Sequence, residues 1–275
     1  MQNFFDLKNQ VVLITGGAGL LGRQHTRAIA AYGATPVVLD LFEDRAKDFA
    51  AQIATEYNVP TLGLGLDITQ ESQIIRVKDE VLKKFGKIDV LINNAANNPQ
   101  VSADNKVKNS SRLENFDVEM WNQDIAVGLT GAFLCAKHFG FEIAKNPEGG
   151  SIINISSDLG VIAPDQRLYS QPGLEESQQN VKPVTYSVIK TGLIGLTRYL
   201  ATYWAHKKVR CNALCPGGVF NGQGDEFVKR VSQLIPMGRM AHVDEYQGAI
   251  IFLASKASAY MNGAVLSIDG GRSCW

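Results

Sequence analysis

Tyr186 and Lys190 stand four residues apart in the stretch Val184-Thr185-Tyr186-Ser187-Val188-Ile189-Lys190-Thr191-Gly192-Leu193. The apolar residues around them recur at helical spacing, and residues four apart on a helix share one face. That pairing has a chemical use. A tyrosine ordinarily loses its proton near pH ~10, and a cation a few ångströms away favours the phenolate. Bringing the hydroxyl to neutral pH takes roughly 4 kcal/mol of differential interaction. A tyrosine tuned that way gives or takes a proton beside a substrate oxygen. The same spacing also fits a core tyrosine with a solvated lysine, so the pair needs context from the rest of the chain.

A second chemistry-bearing group lies near the start. Val11-Val12-Leu13-Ile14 is a short apolar run suited to a strand buried on both faces, and it leads directly into Gly16, Gly19 and Gly22. Strand, glycine turn and helix together seat a dinucleotide pyrophosphate: glycines let the backbone approach, and the helix N-terminus offers unpaired N–H groups. Asp40 ends the next apolar run, where a carboxylate would accept the adenosine ribose hydroxyls and repel a 2′-phosphate, or would cap the following helix. Asp67, with Ile68 after it, ends the third run, where it would meet adenine or cap the following helix.

The elements that position these groups alternate strictly. Strands are expected at Gln10–Thr15, Pro36–Asp40, up to Asp67, Ile88–Ile92, Ser151–Ser157, Val209–Leu214 and Ala264–Ile268, with helices between most of them and Thr69 as a helix cap. Alternation with short connections implies a parallel sheet covered on both faces. We expect one domain over residues 1–275, with insertions near 97–116 and 159–183 and a substrate lid near 219–241.

Composition narrows the class. The chain has 275 residues, 45% of them apolar and 20% charged, and its net charge is zero. That balance fits a soluble globular protein and gives no basic field for nucleic acid or an anionic membrane. Cys135, Cys211, Cys215 and Cys274 form no metal-spaced cluster, and the four histidines are scattered. No metal is expected. The cysteines read as reduced thiols, so a cytoplasmic location is expected, and the first residues carry neither the basic region nor the apolar run of a secretion signal.

The glycine turn, Asn93-Asn94-Ala95-Ala96, Asn154-Ile155-Ser156-Ser157, Tyr186-x-x-x-Lys190 and Pro216-Gly217 occur in this order. As an ordered set they resemble the short-chain dehydrogenase/reductase family over nearly the whole chain. The resemblance implies a Rossmann-type doubly wound α/β fold, a seven-stranded parallel sheet of order 3-2-1-4-5-6-7, a nicotinamide cofactor and a homo-oligomer, tetramer or dimer. It implies that Ser157 hydrogen-bonds the reacting oxygen, Tyr186 transfers the proton, and Lys190 holds the nicotinamide ribose while lowering the tyrosine pKa. Gly16, Gly19, Leu21, Gly22, Asp40, Asp67, Ile68, Asn94, Ala95, Tyr186, Lys190, Pro216, Gly217 and Val219 would bind the cofactor. Asp40 followed by Leu41 points to NAD.

Departures from the family are equally specific. Leu20 stands where the turn usually has its middle glycine, and Ala96 replaces the last glycine of Asn-Asn-Ala-Gly. The family's fourth catalytic residue, an asparagine thought to organise a water beside the lysine, falls at Gly128; a glycine there would leave room for a water, or would kink the helix for packing. The stretch from Ser157 to Tyr186 is longer than usual. The segment after Pro216 and the tail from Asp269 resemble bacterial members associated with surface-sugar or flagellin-glycan synthesis.

The reading that follows is an NAD-dependent enzyme interconverting a secondary alcohol and a ketone on a polar polyol, a sugar or sugar phosphate. Both insertions are rich in hydroxyl-binding groups: Asn97, Asn98, Gln100, Ser102, Asp104, Asn109, Asp165, Gln166, Arg167, Gln171, Glu175 and Gln178. Lys106, Lys108, Arg112 and Arg167 would meet a phosphate. The alternatives are a 3-oxoacyl or steroid-like ketone reductase, which would want apolar walls, and a catalytically silent NAD-binding sensor.

Overall fold

The structure is a computed structural model that describes residues 3–97 and 110–275. Seven strands form one sheet of order β3-β2-β1-β4-β5-β6-β7, and every pairing is parallel. They are β1 (Val11–Thr15), β2 (Thr35–Asp40), β3 (Leu62–Gly65), β4 (Val90–Asn93), β5 (Gly150–Ile155), β6 (Val209–Pro216) and β7 (Val265–Ile268). Alternation of side chains across the sheet explains the continuous apolar runs. Val11 and Leu13 join the core on one face, and Val12 and Ile14 the core on the other.

The first core packs under α3 (Glu71–Phe85), a helical rod over 118–143, and α7 (Val184–Tyr203). Helices α1 (Leu20–Ala31), α2 (Glu43–Tyr57) and α9 (Gln247–Ala254) cover the opposite face. The rod consists of α4 (Val118–Ile125), α5 (Gly131–Cys135) and α6 (Phe141–Ile143), joined by two π-helical stretches, Ala126–Thr130 and Ala136–Gly140. Such bulges let a helix absorb a residue that cannot face its neighbour at ordinary spacing.

Three segments differ from the sequence-based expectation. Strand β3 stops at Gly65, so Asp67 lies beyond it, and Thr69 is not the cap of α3: Gln70 holds that position without a side-chain bond. The insertion at 159–183 contains 3-10 turns at Gln166–Tyr169 and Glu176–Gln178, the second closed by a capping box between Glu175 and Gln178. The segment at 219–241 contains α8 (Asp225–Gln233). These two regions meet. Leu168 from the insertion packs with Val231, Ile235 and Met240, the Tyr169 and Phe227 rings lie 5.7 Å apart, and Arg230 donates to the Ser170 carbonyl at 2.7 Å. Of the insertion at 97–116, residues 98–109 lie outside the described residues.

Candidate active site

The sheet order reverses between β1 and β4, and ligands of open α/β sheets bind at such a point, past the carboxyl ends of the strands. Here that edge opens into a cleft of about 1190 Å³. At one end is the glycine turn. Gly16 adopts φ +60°, and a Cβ at Gly22 would sit 2.0 Å from the Gly16 carbonyl oxygen, so the turn closes onto α1 only with glycine at both places. Gly16, Gly19 and Leu21 line the cleft, while Gly22 serves the packing of turn against helix. The first turn of α1 has neither a side-chain cap nor an acidic residue, so its N–H groups and positive dipole end are left for an anion.

Thr15, which the sequence reading passed over, fastens this turn to β4. Its hydroxyl accepts from the Asn94 and Ala95 backbone N–H groups at 3.0 and 3.1 Å, and the Asn94 side chain donates to the Thr15 and Gly16 carbonyls. The Asn94 side-chain amide therefore braces the turn, and Asn94 and Ala95 both face the cleft. Below them Asn93 donates to Asn154, and Asn154 to Thr197, so β4, β5 and α7 are joined through the core.

Asp40 ends β2 in the cleft wall, only 4% exposed. It accepts from the Ala18 N–H at 3.3 Å and from Arg45 Nη2 at 3.0 Å. Arg45 is a cation beside Asp40 in the cleft wall that the focus on Leu41 missed; it arrives from the first turn of α2. Asp67 turns its carboxylate to the Thr69 N–H and hydroxyl at 2.9 and 2.7 Å while still lining the cleft beside Ile68. Pro216, Gly217 and Val219 line it where β6 ends.

At the other end Ser157, Tyr186 and Lys190 come together on the wall. Ser157 follows β5, and α7 presents the other two. Thr185 donates to Asp124 at 2.6 Å, tying the start of α7 to α4, and Ser156 donates to the Lys190 carbonyl at 2.7 Å. Lys190 is 6% exposed and donates to the Ile155 carbonyl at 2.9 Å. Burial lowers its pKa to about 8; Cys215 opposes that shift and Lys182 adds to it.

Tyr186 departs from expectation. Burial lifts its pKa above the ordinary value, hydrogen bonding to Ser157 pulls the other way, and the nearby Asp158 adds to the rise. Lys190 Nζ lies 5.7 Å from the ring centroid and is committed to a carbonyl, so without cofactor it does not make the phenol acidic. A second cation is closer: Lys182 Nζ sits 3.8 Å from the centroid, over the ring face.

Gly128 lies in the first π-helical stretch of the rod, and it leaves no room for a water. A Cβ there would be 2.7 Å from Ile189 Cγ2 and 2.9 Å from its Cδ1. The branched side chain of Ile189, on α7 beside Lys190, fills the space, so the glycine is a close-approach residue between two helices.

The polar residues expected to grip substrate are mostly spent elsewhere. Asp165 and Arg167 pair with each other at 2.6 Å, Arg112 pairs with Glu114 and donates to the Glu176 carbonyl, and Gln166 accepts from the Lys182 N–H. Asn98, Gln100, Ser102, Asp104, Lys106, Lys108 and Asn109 lie outside the described residues. Of that set, Asn97 and Gln171 line the cleft. The polar wall is made instead by Asp158, Lys182, Asn221, Gln223, Arg230 and Arg272, which the sequence reading did not single out. They come from five separate segments, and no local pattern links them.

Fold and cleft together define a Rossmann-type dinucleotide enzyme. Comparison with known proteins narrows this. The family described as enoyl-(acyl carrier protein) reductase matches residues 17–273. The chain is 33% identical to trans-4-hydroxycyclohexanecarboxylate dehydrogenase of Sinomonas cyclohexanicum, over 96% of this chain and 93% of that protein. It is 32% identical to an NAD-dependent glycerol dehydrogenase of Listeria innocua, over 97% and 95%. Among solved structures, a gluconate 5-dehydrogenase from Burkholderia cenocepacia in complex with NADP and tartrate superposes with TM-score 0.85 at 27% identity, covering 99% of this chain and 98% of that one. The chain belongs to the short-chain dehydrogenase/reductase family, and it is an oxidoreductase of alcohol groups that works with a nicotinamide cofactor. Among the described residues no helix is long and apolar enough to cross a membrane.

Proposed function

We propose that the chain is an NAD-dependent dehydrogenase interconverting a secondary alcohol and a ketone on a polar, multiply hydroxylated substrate. The observation that carries this reading is the meeting of Ser157, Tyr186 and Lys190 on the wall of the cleft that begins at the glycine turn. The turn and the uncapped start of α1 fit a pyrophosphate, and the Asp40 carboxylate fits a ribose diol. Bound there, the nicotinamide would supply hydride chemistry. The chain's own work is to orient and to move a proton. Ser157 hydrogen-bonds the reacting oxygen, Tyr186 exchanges its proton, and Lys190 holds the nicotinamide ribose. Because Tyr186 takes a proton in alcohol oxidation and gives one in ketone reduction, oxidation gains from rising pH and reduction from falling pH.

The polar wall supports the polyol, and its cation Lys182 suits a substrate that also carries an acid group, Arg230 being paired with Glu226 and Arg272 with Asp158. Resemblance to proteins named for glycerol, gluconate and a hydroxycyclohexanecarboxylate points the same way. Leu159, Leu168, Phe227, Val231 and Met240 on the facing wall favour a second reading, reduction of an acyl ketone. A parallel screen tests both: glycerol, erythritol, mannitol, gluconate, sugar phosphates, steroids and 3-oxoacyl thioesters, each with NAD(H) and NADP(H). Turnover of polyols or sugar acids is expected; turnover confined to the apolar classes overturns the proposal, and binding of NAD with no turnover at all favours the silent sensor.

The same reading includes a cytoplasmic homo-oligomer. Its support is the apolar surface left on the rod and α7, where Phe133, Phe141, Tyr199 and Tyr203 are exposed. Light scattering of the purified chain tests it, and a monomer at micromolar concentration would reject it.

A further inference from the structure

Lys182 closes the long insertion that precedes α7, and its backbone is fixed from three sides. Its own N–H donates to the Gln166 side chain at 2.8 Å, and the Val181 N–H donates to the Ser111 hydroxyl at 3.1 Å. Pro183 follows, and the residue before a proline is pushed to extended backbone. Ser111 belongs to one insertion and Gln166 to the other, and Arg112 joins the two again by donating to the Glu176 carbonyl at 2.7 Å. The insertions are thus stitched together where Lys182 enters the cleft wall.

The side chain is placed as closely as the backbone. Nζ sits 3.8 Å from the Tyr186 ring centroid, over the face of the ring whose hydroxyl exchanges the proton. A lysine at that depth gives up hydration, and the ring face returns part of it. Burial lowers its pKa to about 8, with Asp158 opposing, so at pH 7 it is mostly an ammonium. A lysine needed only to pack its stem would send its charged head to water. This one is half-buried and keeps its head in the cleft, beside the reacting group.

Other charged groups nearby are engaged with one another. Arg272 pairs with Asp158 and Arg230 with Glu226, while Asp124, which shares a small recess with Lys182, accepts from Thr185. An ammonium has three donors, so a partner at rest still leaves capacity for a ligand.

We propose that Lys182 anchors a carboxylate of the substrate, and that the substrate is a short 2- or 3-hydroxy acid with further hydroxyls rather than a neutral polyol. This rests on the function proposed above and names the substrate class of that site. The carbinol oxygen meets the Tyr186 hydroxyl and the carboxylate meets an ammonium stacked on the same ring. Charge-assisted bonds of this kind are short, about 2.7–2.9 Å. A 2- or 3-hydroxy acid spans two such neighbours directly, whereas gluconate would have to fold back to bring its 5-hydroxyl there. One ammonium matches the single charge of a carboxylate. A phosphate monoester carries nearly two charges and asks for a second cation, which Arg230 and Arg272 in their pairs do not supply. Lys182 moves no proton and no electron. It holds and orients, and the chemistry stays with Tyr186 and the nicotinamide.

The test compares the full chain with Lys182→Met and Lys182→Arg on matched compounds: glycerate against glycerol, threonate against threitol, and glycerol 1-phosphate, all with NAD. Methionine keeps an apolar stem over the ring and removes the charge. The parent should favour each hydroxy acid over its neutral partner. The kcat/KM ratio of acid to neutral partner should fall at least about tenfold in Lys182→Met, mostly through KM, and Lys182→Arg should keep part of it. An effect of Lys182 on Tyr186 itself would touch acid and neutral alcohol alike and cancel in that ratio. A readout without turnover runs beside it: calorimetric titration of 2-hydroxyisobutyrate, whose tertiary alcohol cannot give up a hydride, into the NAD complex. Its affinity should fall at least about tenfold in Lys182→Met. A ratio that Lys182→Met leaves unmoved, equal affinity for 2-hydroxyisobutyrate in parent and variant, or a parent that prefers glycerol 1-phosphate to glycerate would each overturn the anchor. A parent that oxidises the neutral polyols and not the acids overturns the anchor and leaves the proposed function standing. If the parent turns over none of these compounds, the proposed function is in question instead, and the titration still decides whether Lys182 holds a carboxylate.

Discussion

Cofactor choice is the prediction that the geometry constrains most tightly. The Asp40 carboxylate is 4% exposed and lines the cleft where the adenosine ribose is proposed to sit. A 2′-phosphate there would bring a negative charge to within a few ångströms. Two unit charges ~4 Å apart at an effective dielectric of ~20 repel by about 4 kcal/mol. Arg45, bonded to Asp40 at 3.0 Å, offsets part of this, but its side chain is 46% exposed and therefore screened. Taking the offset as about half leaves about 2 kcal/mol, or roughly 30-fold in favour of NAD. Asp40→Asn keeps the volume and an acceptor for the Ala18 N–H but removes the charge. The kcat/KM ratio of NAD to NADP, measured on one substrate, should then fall by more than about 30-fold, because the repulsion is gone and Arg45 becomes free to meet the phosphate. Arg45→Ala should move the ratio the other way. A parent chain that uses NADP equally well, or an Asp40→Asn chain with an unchanged ratio, refutes the reasoning.

Gly128→Asn should not restore the family's relay but should destabilise the chain by about 1–3 kcal/mol, since its Cβ would collide with Ile189; thermal melting reads the loss, and adding Ile189→Ala should recover part of it. His25 is fully buried, with neither ring nitrogen hydrogen-bonded among the described residues, and burial holds its pKa at about 3 against the ordinary 6.5. The unfolded chain thus binds more protons between those values, so stability is intact above pH ~6.5 and falls by about 1.4 kcal/mol for each pH unit below it, until the folded pKa is reached; denaturant midpoints from pH 7 to 4 should show this slope, and His25→Leu should flatten it. Lys190→Ala should weaken NAD binding as well as turnover, because this side chain is assigned to hold ribose; calorimetry with NAD checks it, and unchanged affinity would remove Lys190 from the cofactor site.

The sheet was legible because it is buried on both sides. Val11 to Ile14 must be apolar without interruption when alternate residues feed two cores, and that run announces a parallel strand. The glycine turn was legible because only glycine tolerates the contact between Gly22 and Gly16. Tyr186 and Lys190 were legible through their helical spacing. What stayed hidden depends on partners distant in the chain. Arg272 meets Asp158 across most of the C-terminal half, and Thr15 meets Asn94 across three helix–strand units. The glycine at position 128 hid its reason in Ile189 on another helix. The polar residues of the 159–183 insertion misled because hydrogen-bonding capacity can be spent locally, as in the Asp165–Arg167 pair. The acidity of Tyr186 misled because four-residue spacing fixes a shared face and says nothing of where the ammonium is anchored.

Tyr186→Phe is the most direct measurement of the central claim. The change deletes one hydroxyl and little packing volume. With NAD and any polyol or sugar acid that the parent chain oxidises, kcat should fall by about 10²-fold or more, while the NAD dissociation constant and the melting temperature stay close to those of the parent. A Tyr186→Phe chain that still turns over its alcohol at near the parent rate would contradict the assignment of Tyr186 and the mechanism built on it.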